Sequence, residues 1–146
     1  MYLVSACLIG VNCRYDGDNN YNHKLYEMFQ KSQLYPVCPE VLGGLGIPRE
    51  PCEIIKREND YKVYNKKGID RTTEFLIGAK KTLKVADLIE VTGAIFKENS
   101  PSCGVNYIYD GSFNSNIIEG KGFTTKYLEE AGYEVYSEEE LDKLEL

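Results

Sequence analysis

A chain of 146 residues, 42% hydrophobic and 27% charged, can bury a sizeable core and reads as a single domain over residues 1–146. Its net charge of -6 and pI near 4.9 argue against long nucleic acid as a partner, since that calls for a basic face, and leave small ligands open. No apolar stretch approaches the roughly 20 residues of a membrane span, and MYLVSACLIG has no basic region ahead of its apolar run, so the expected location is the cytoplasm.

The first apolar run, YLVSA, ends in the polar loop NCRYDGDNN and predicts a strand. NHKLYEMFQKS places Leu25, Met28 and Phe29 at helical spacing behind Asn22 as cap, and QLYPV predicts a second strand ending at Cys38. The stretch CPEVLGGLGIPREPCE reads as a loop rich in glycine and proline. A hairpin of EIIKRE and YKVYN around Asn59 and Asp60 follows it. Thr72 or Thr73 caps the longest helix, EFLIGAKKTLKVADLIEV, whose Phe75, Leu76, Ala79, Leu83, Ala86 and Leu88 form an apolar stripe. That helix feeds the strand GAIF. Short strands in VNYIYDGSF and SNIIEGKG come next, then the helix TTKYLEEAG, the strand YEVY, and a charged tail helix SEEELDKLEL capped by Ser137. Alternating strands and amphipathic helices predict an α/β fold: a compact three-layer Rossmann-like domain around a mostly parallel sheet.

Five cysteines, in a reducing compartment, point to metal ligation or catalysis before disulfides. Ligands of open α/β sheets sit beyond the carboxyl ends of the strands. Cys7 ends the first strand, Cys38 ends the second, and Cys103 lies in SPSCG, the loop leaving GAIF, so three thiols from separate segments meet at one edge. Any one of them alone reads equally well as a small buried hydrophobe. Close pairs of the C-x-x-C kind are missing, which weakens a zinc reading. An iron-sulfur cluster accepts scattered cysteines, and three ligands on four irons leave one iron open to substrate. A zinc-stabilised binding module and a non-catalytic electron-transfer or sensing protein remain as alternatives.

SACLIGVNCRYDG, PVCPEVLGGLGIPREP, GIDRTTEFLIGA, AIFKENSPSCG, IYDGSF and GKGFTT run in this order from the first strand nearly to the tail. Together they resemble the thiouracil desulfidases, a family long classed as of unknown function. The resemblance implies an oxygen-sensitive [4Fe-4S] cluster held by three cysteines, with one iron not ligated by protein. It also implies a hydrolysis without net redox change: water replaces the sulfur of a thiolated uracil, giving uracil or a uridine nucleotide and hydrogen sulfide. The partner is then a small thiolated pyrimidine or nucleotide, with no membrane and no long nucleic acid. By motif, Cys7, Cys38 and Cys103 are the ligands, while Glu40, Ser100 and Ser102 match positions near the reacting centre. Cys13 also matches the family pattern, and its exclusion rests on the strand-end argument. Cys52 stands where a small residue such as alanine is expected and receives no role.

The chemistry asks for these residue types. Glu40 can activate the water or protonate the base, and the two serine hydroxyls can hydrogen-bond substrate oxygen or cluster sulfide. Other conspicuous groups receive structural readings: Gly43, Gly44 and Gly46 as backbone turns, Arg14 and Arg49 as solvated surface, and His23 as exposed.

Overall fold

The computed structural model describes residues 1–144, so Glu145 and Leu146 of the expected tail helix lie outside the described residues. Strands β1 (Tyr2–Ser5), β2 (Leu34–Val37), β5 (Gly93–Phe96) and β8 (Glu134–Ser137) form a parallel sheet in the order β2-β1-β5-β8. Every residue of β1 and β5 is buried, as inner strands covered on both faces require.

Successive side chains point to opposite faces, and the two cores follow that alternation. Leu3, Ala94 and Phe96 pack with Ala86 and Leu128, which come from helices α3 (Thr72–Ile89) and α4 (Phe123–Glu130). Tyr2, Val4 and Ile95 pack with Leu25 and Met28 of α1 (His23–Gln30), with Leu141 of the 3-10 turns Glu138–Lys143 against them. This gives the three layers that the alternating pattern predicts. Beside the sheet lie two antiparallel hairpins, β3 (Cys52–Arg57) with β4 (Asp60–Asn65) and β6 (Tyr107–Tyr109) with β7 (Ile117–Glu119). No helix among the described residues is long and apolar enough to cross a membrane.

Several local expectations are corrected. Phe29 is 38% exposed: it is rotated about 100° from Met28 in the last turn of α1, which carries it off the sheet. Leu88 is 70% exposed because the buried stripe of α3 runs through Phe75, Gly78, Ala79, Thr82 and Ala86, and Leu88 falls on the opposite side. Neither Thr72 nor Thr73 caps α3. Arg71 holds that position, Asp70 Oδ1 accepts from the Thr72 amide at 2.8 Å, and Thr72 Oγ1 accepts from Val63 N at 2.9 Å, which ties the helix to β4. The first hairpin turns at Glu58 and Asn59, Glu58 having φ 54°, and Asp60 already pairs with Arg57. Ser137 does cap the tail, accepting from Glu139 N at 3.1 Å, but the segment forms kinked 3-10 turns; the Glu140 carboxylate is drawn to Ser137 N, Asn106 and Lys143.

Inside the stretch read as a loop lies a further helix, α2 (Pro39–Leu42). Gly43 and Gly78 explain its position. A Cβ on Gly43 would stand 2.0 Å from Glu74 O, and one on Gly78 would stand 2.0 Å from Pro39 O. The two glycines thus let α2 rest backbone to backbone on α3, a packing role for Gly43 in place of the expected turn.

Candidate active site

From β1 the chain passes to β2 on one side and returns to β5 on the other, so the topology opens a crevice beyond the carboxyl ends of β1 and β5. A cavity of about 480 Å³ lies there. All five cysteines line it, together with Glu40, Ser100 and Ser102.

Cys7 sits in the 3-10 turn Ala6–Ile9 that follows β1, and Cys38 holds the N-cap position of α2. Cys13 lies between them, with side-chain hydrogen bonds to both. Its hydrogen bond is the main cause that lowers the Cys7 thiol, against burial and with help from Asn20, whose Nδ2 donates to Cys7 Sγ at 3.4 Å. The same donor, again outweighing burial, brings Cys38 down to about 7. As the proton holder, Cys13 is pushed far up by Cys38 first, then Cys7 and burial. Burial pushes Cys52 up to about 12 and raises Cys103 too, the latter against hydrogen bonds from Ser5 and Ser102.

The SPSCG loop is closed on itself. Ser100 Oγ accepts from Ser102 N at 3.2 Å and from Cys103 N at 3.0 Å, and Gly104 N donates to Ser100 O at 2.8 Å. The first amides of α4 bind the loop's carbonyls, Phe123 N to Pro101 O at 3.0 Å and Thr124 N to Ser102 O at 2.9 Å. A Cβ on Gly122 would lie 2.5 Å from Ser102 C and O, so α4 can begin here only with glycine before it. Glu98 organises the downstream side: Oε1 accepts from the amides of Val105, Asn106 and Tyr107 at 2.8, 2.8 and 3.0 Å. Burial alone would raise this carboxyl, but those donors and Asn106 Nδ2 outweigh it and hold it below the usual glutamate range.

Glu40 spans the cavity walls. Its Oε2 accepts from Ser102 Oγ at 3.1 Å, its Oε1 from Arg49 Nε at 3.1 Å, and Ser102 Oγ stands 3.6 Å from Cys103 Sγ and 3.1 Å from Ser100 Oγ. A carboxylate, two hydroxyls and a set of thiols therefore share one space.

The model of the 2-thiouracil desulfurase family matches residues 2–140. This chain belongs to that family. It is 41% identical over 150 residues to the uncharacterized protein YbbK of Bacillus subtilis (strain 168), covering 99% of each chain. It also superposes on the solved structure of the [4Fe-4S]-dependent thiouracil desulfidase TudS with a TM-score of 0.90, at 37% identity, covering 98% of this chain and 93% of that one.

Some groups of this family member were not legible in its sequence. Arg49, expected on the solvated surface, is only 9% exposed in its side chain; besides Glu40 it donates to Cys13 O at 2.9 Å and Gly46 O at 3.2 Å. It thereby joins three segments that are apart in the chain. Asn20 is one of several asparagines in a polar run, and nothing local marks it out. Glu98 did carry a signal: an acidic residue two positions beyond a fully buried strand end must find donors. His23 is exposed as expected, and pairs with Glu27 at 2.8 Å and Tyr21 at 3.0 Å. Arg14 binds Asp16 at 2.8 Å and Asn20 at 3.0 Å on the cavity lining.

Proposed function

We propose that this chain is an iron-sulfur-dependent thiouracil desulfidase, acting in the cytoplasm as a single domain. A thiolated pyrimidine, free or as a nucleotide, exchanges its thiocarbonyl sulfur for the oxygen of water, the C=S bond becoming C=O. The products are uracil, or the uridine nucleotide, and hydrogen sulfide, with no net electron transfer.

The donor set suits a [4Fe-4S] cluster on Cys7, Cys38 and Cys103, with one iron free of protein. Thiols reach one cavity from three segments, and two of them lie below the ordinary thiol range. A single zinc gathers its ligands around one point, commonly from close cysteine pairs, whereas a cluster spreads them over separate irons and accepts thiols from distant segments such as these. Bound there, it supplies a thiophilic Lewis acid for the departing sulfur.

Glu40 carries the reading. Its carboxylate borders the thiol-lined cavity, fixed by Arg49 on one oxygen and Ser102 on the other. From there it can take a proton from the attacking water and return it to the sulfur, so that both protons of the water end on sulfide. Ordinary alcohols stay un-ionised near neutral pH and so cannot serve as bases, and Ser100 and Ser102 position the water or the carbonyl oxygen of the pyrimidine. Anaerobically purified protein should hold about four irons and four sulfides and release sulfide from 2- or 4-thiouracil or a thiouridine nucleotide. A colourless zinc protein overturns the cofactor; a full cluster without sulfide release makes the protein a redox or sensing one.

A further inference from the structure

Cys13 takes no part in the chemistry above. It is 5% exposed, lies in the stretch without helix or strand between Gly10 and Asn22, and its thiol shares side-chain hydrogen bonds with those of Cys38 and Cys7. Cys38 is part exposed toward the cavity, and its Sγ also donates to Cys13 O at 3.9 Å. Small oxidants entering the cavity therefore meet Cys38 with a second, more buried thiol beside it.

We infer that Cys13 is the resolving thiol of Cys38: when no cluster occupies the cavity, oxidised Cys38 is captured as a Cys13–Cys38 disulfide. The oxidant is hydrogen peroxide. One oxygen of the peroxide passes to Cys38 Sγ, giving a sulfenic acid and one water. Cys13 Sγ then attacks that sulfur; the S–S bond forms, the S–O bond breaks, and the hydroxyl leaves as a second water with the Cys13 proton. Two thiols and one peroxide thus give one disulfide and two waters, and a dithiol reverses the bond. Without a resolving thiol the sulfenic acid proceeds to sulfinic acid, which a dithiol does not restore.

The other thiols fit the role less well. Cys103 is buried and engaged by Ser5 and Ser102, and Cys52 points its thiol at Glu50 O, 3.7 Å away. Cys7 shares Cys13 but is held by the Asn20 amide. Closing the bond brings the two hydrogen-bonded sulfurs to about 2.05 Å. The consequence for cofactor loading rests on the reading of Cys38 as a cluster ligand; the disulfide itself does not.

The test treats the full-length protein, wild type and Cys13→Ser, with excess hydrogen peroxide until its iron is lost, and maps the peptides by mass before and after dithiothreitol. Wild type should give a Cys13–Cys38 linked peptide and recover iron binding after the dithiol. In Cys13→Ser, Cys38 should carry two added oxygens, and iron binding should stay lost. Linkage of Cys38 to Cys7 or Cys103, or sulfinic Cys38 in wild type as fast as in Cys13→Ser, overturns the inference. The wild-type peptide map decides this even if the variant folds poorly. A Cys13–Cys38 link in protein that never takes up iron would leave the disulfide standing and remove the desulfidase reading.

Discussion

Cys103 occupies a wall whose backbone is bonded on every side, to Ser100 Oγ within the loop, to the start of α4 behind it, and through Glu98 to the segment beyond. Across the cavity, Cys7 and Cys38 sit at the ends of β1 and β2, part exposed, their thiols bonded to Cys13. Burial pushes the first thiol up, and a donor hydrogen brings the other two down. One wall thus belongs to the scaffold before it belongs to the chemistry. The other is chemically poised and structurally light, and Glu40 connects the two through Ser102 and Arg49.

The most drastic break removes a thiol. Cys7→Ala, Cys38→Ala and Cys103→Ala should each lose the bound iron, whereas Cys13→Ala and Cys52→Ala should keep it. Denaturant unfolding of the cluster-free chains separates the walls: Cys103→Ala should cost about 1–2 kcal/mol through its core contacts, and Cys7→Ala much less. Equal costs would dissolve the distinction.

Cutting the link between the walls comes next. Glu40→Gln keeps the shape and loses the titration, so sulfide release should fall by about 10²–10⁴-fold with unchanged iron content. Ser100→Ala and Ser102→Ala should lose less. Near-normal turnover in Glu40→Gln, with Ser100→Ala inactive, would reverse the roles.

A purely structural break follows. Gly122→Ala drives a methyl into the Ser102 carbonyl and should lower stability by about 1–3 kcal/mol, visible as a lower unfolding midpoint. No change there would mean that the scaffold wall yields easily.

The mildest change is in pH dependence. Glu98 is held below the usual glutamate value near 4.3, so its stabilisation is complete above that value and fades as pH falls through it toward the folded-state value. Glu98→Gln should therefore be less stable by about 1–2 kcal/mol at pH 7 and lose less than wild type on acidification. Parallel stability curves for the two proteins from pH 7 to 3 would contradict this.

The sheet was legible because each strand is a short apolar run closed by turn residues, and because YLVS and GAIF are too short to be anything but buried strands. Once those strands were placed, the thiols at their ends followed from the geometry of parallel sheets. Helix α2 was hidden, since four residues between proline and glycine carry no periodicity, and what holds them is Gly78, more than 30 positions away. Arg49 was misread for the same reason: its partners lie on two other segments, and an arginine's burial depends on whether a carboxylate meets it. Leu88 and Phe29 show the reverse, apolar residues at acceptable spacing that the neighbouring elements do not cover.

The order of the sheet also sets a schedule for biosynthesis. Strand β1 lies inside the sheet, yet its second neighbour, β5, is separated from β2 by more than fifty residues of chain. At translation rates of about 5–20 residues per second, the apolar edge of β1 waits several seconds for its partner. Cys103 emerges later still, and the α4 amides that lock its loop come after it. A nascent chain therefore presents Cys7, Cys13 and Cys38 as an unfinished thiol site long before the Cys103 wall of the cavity exists.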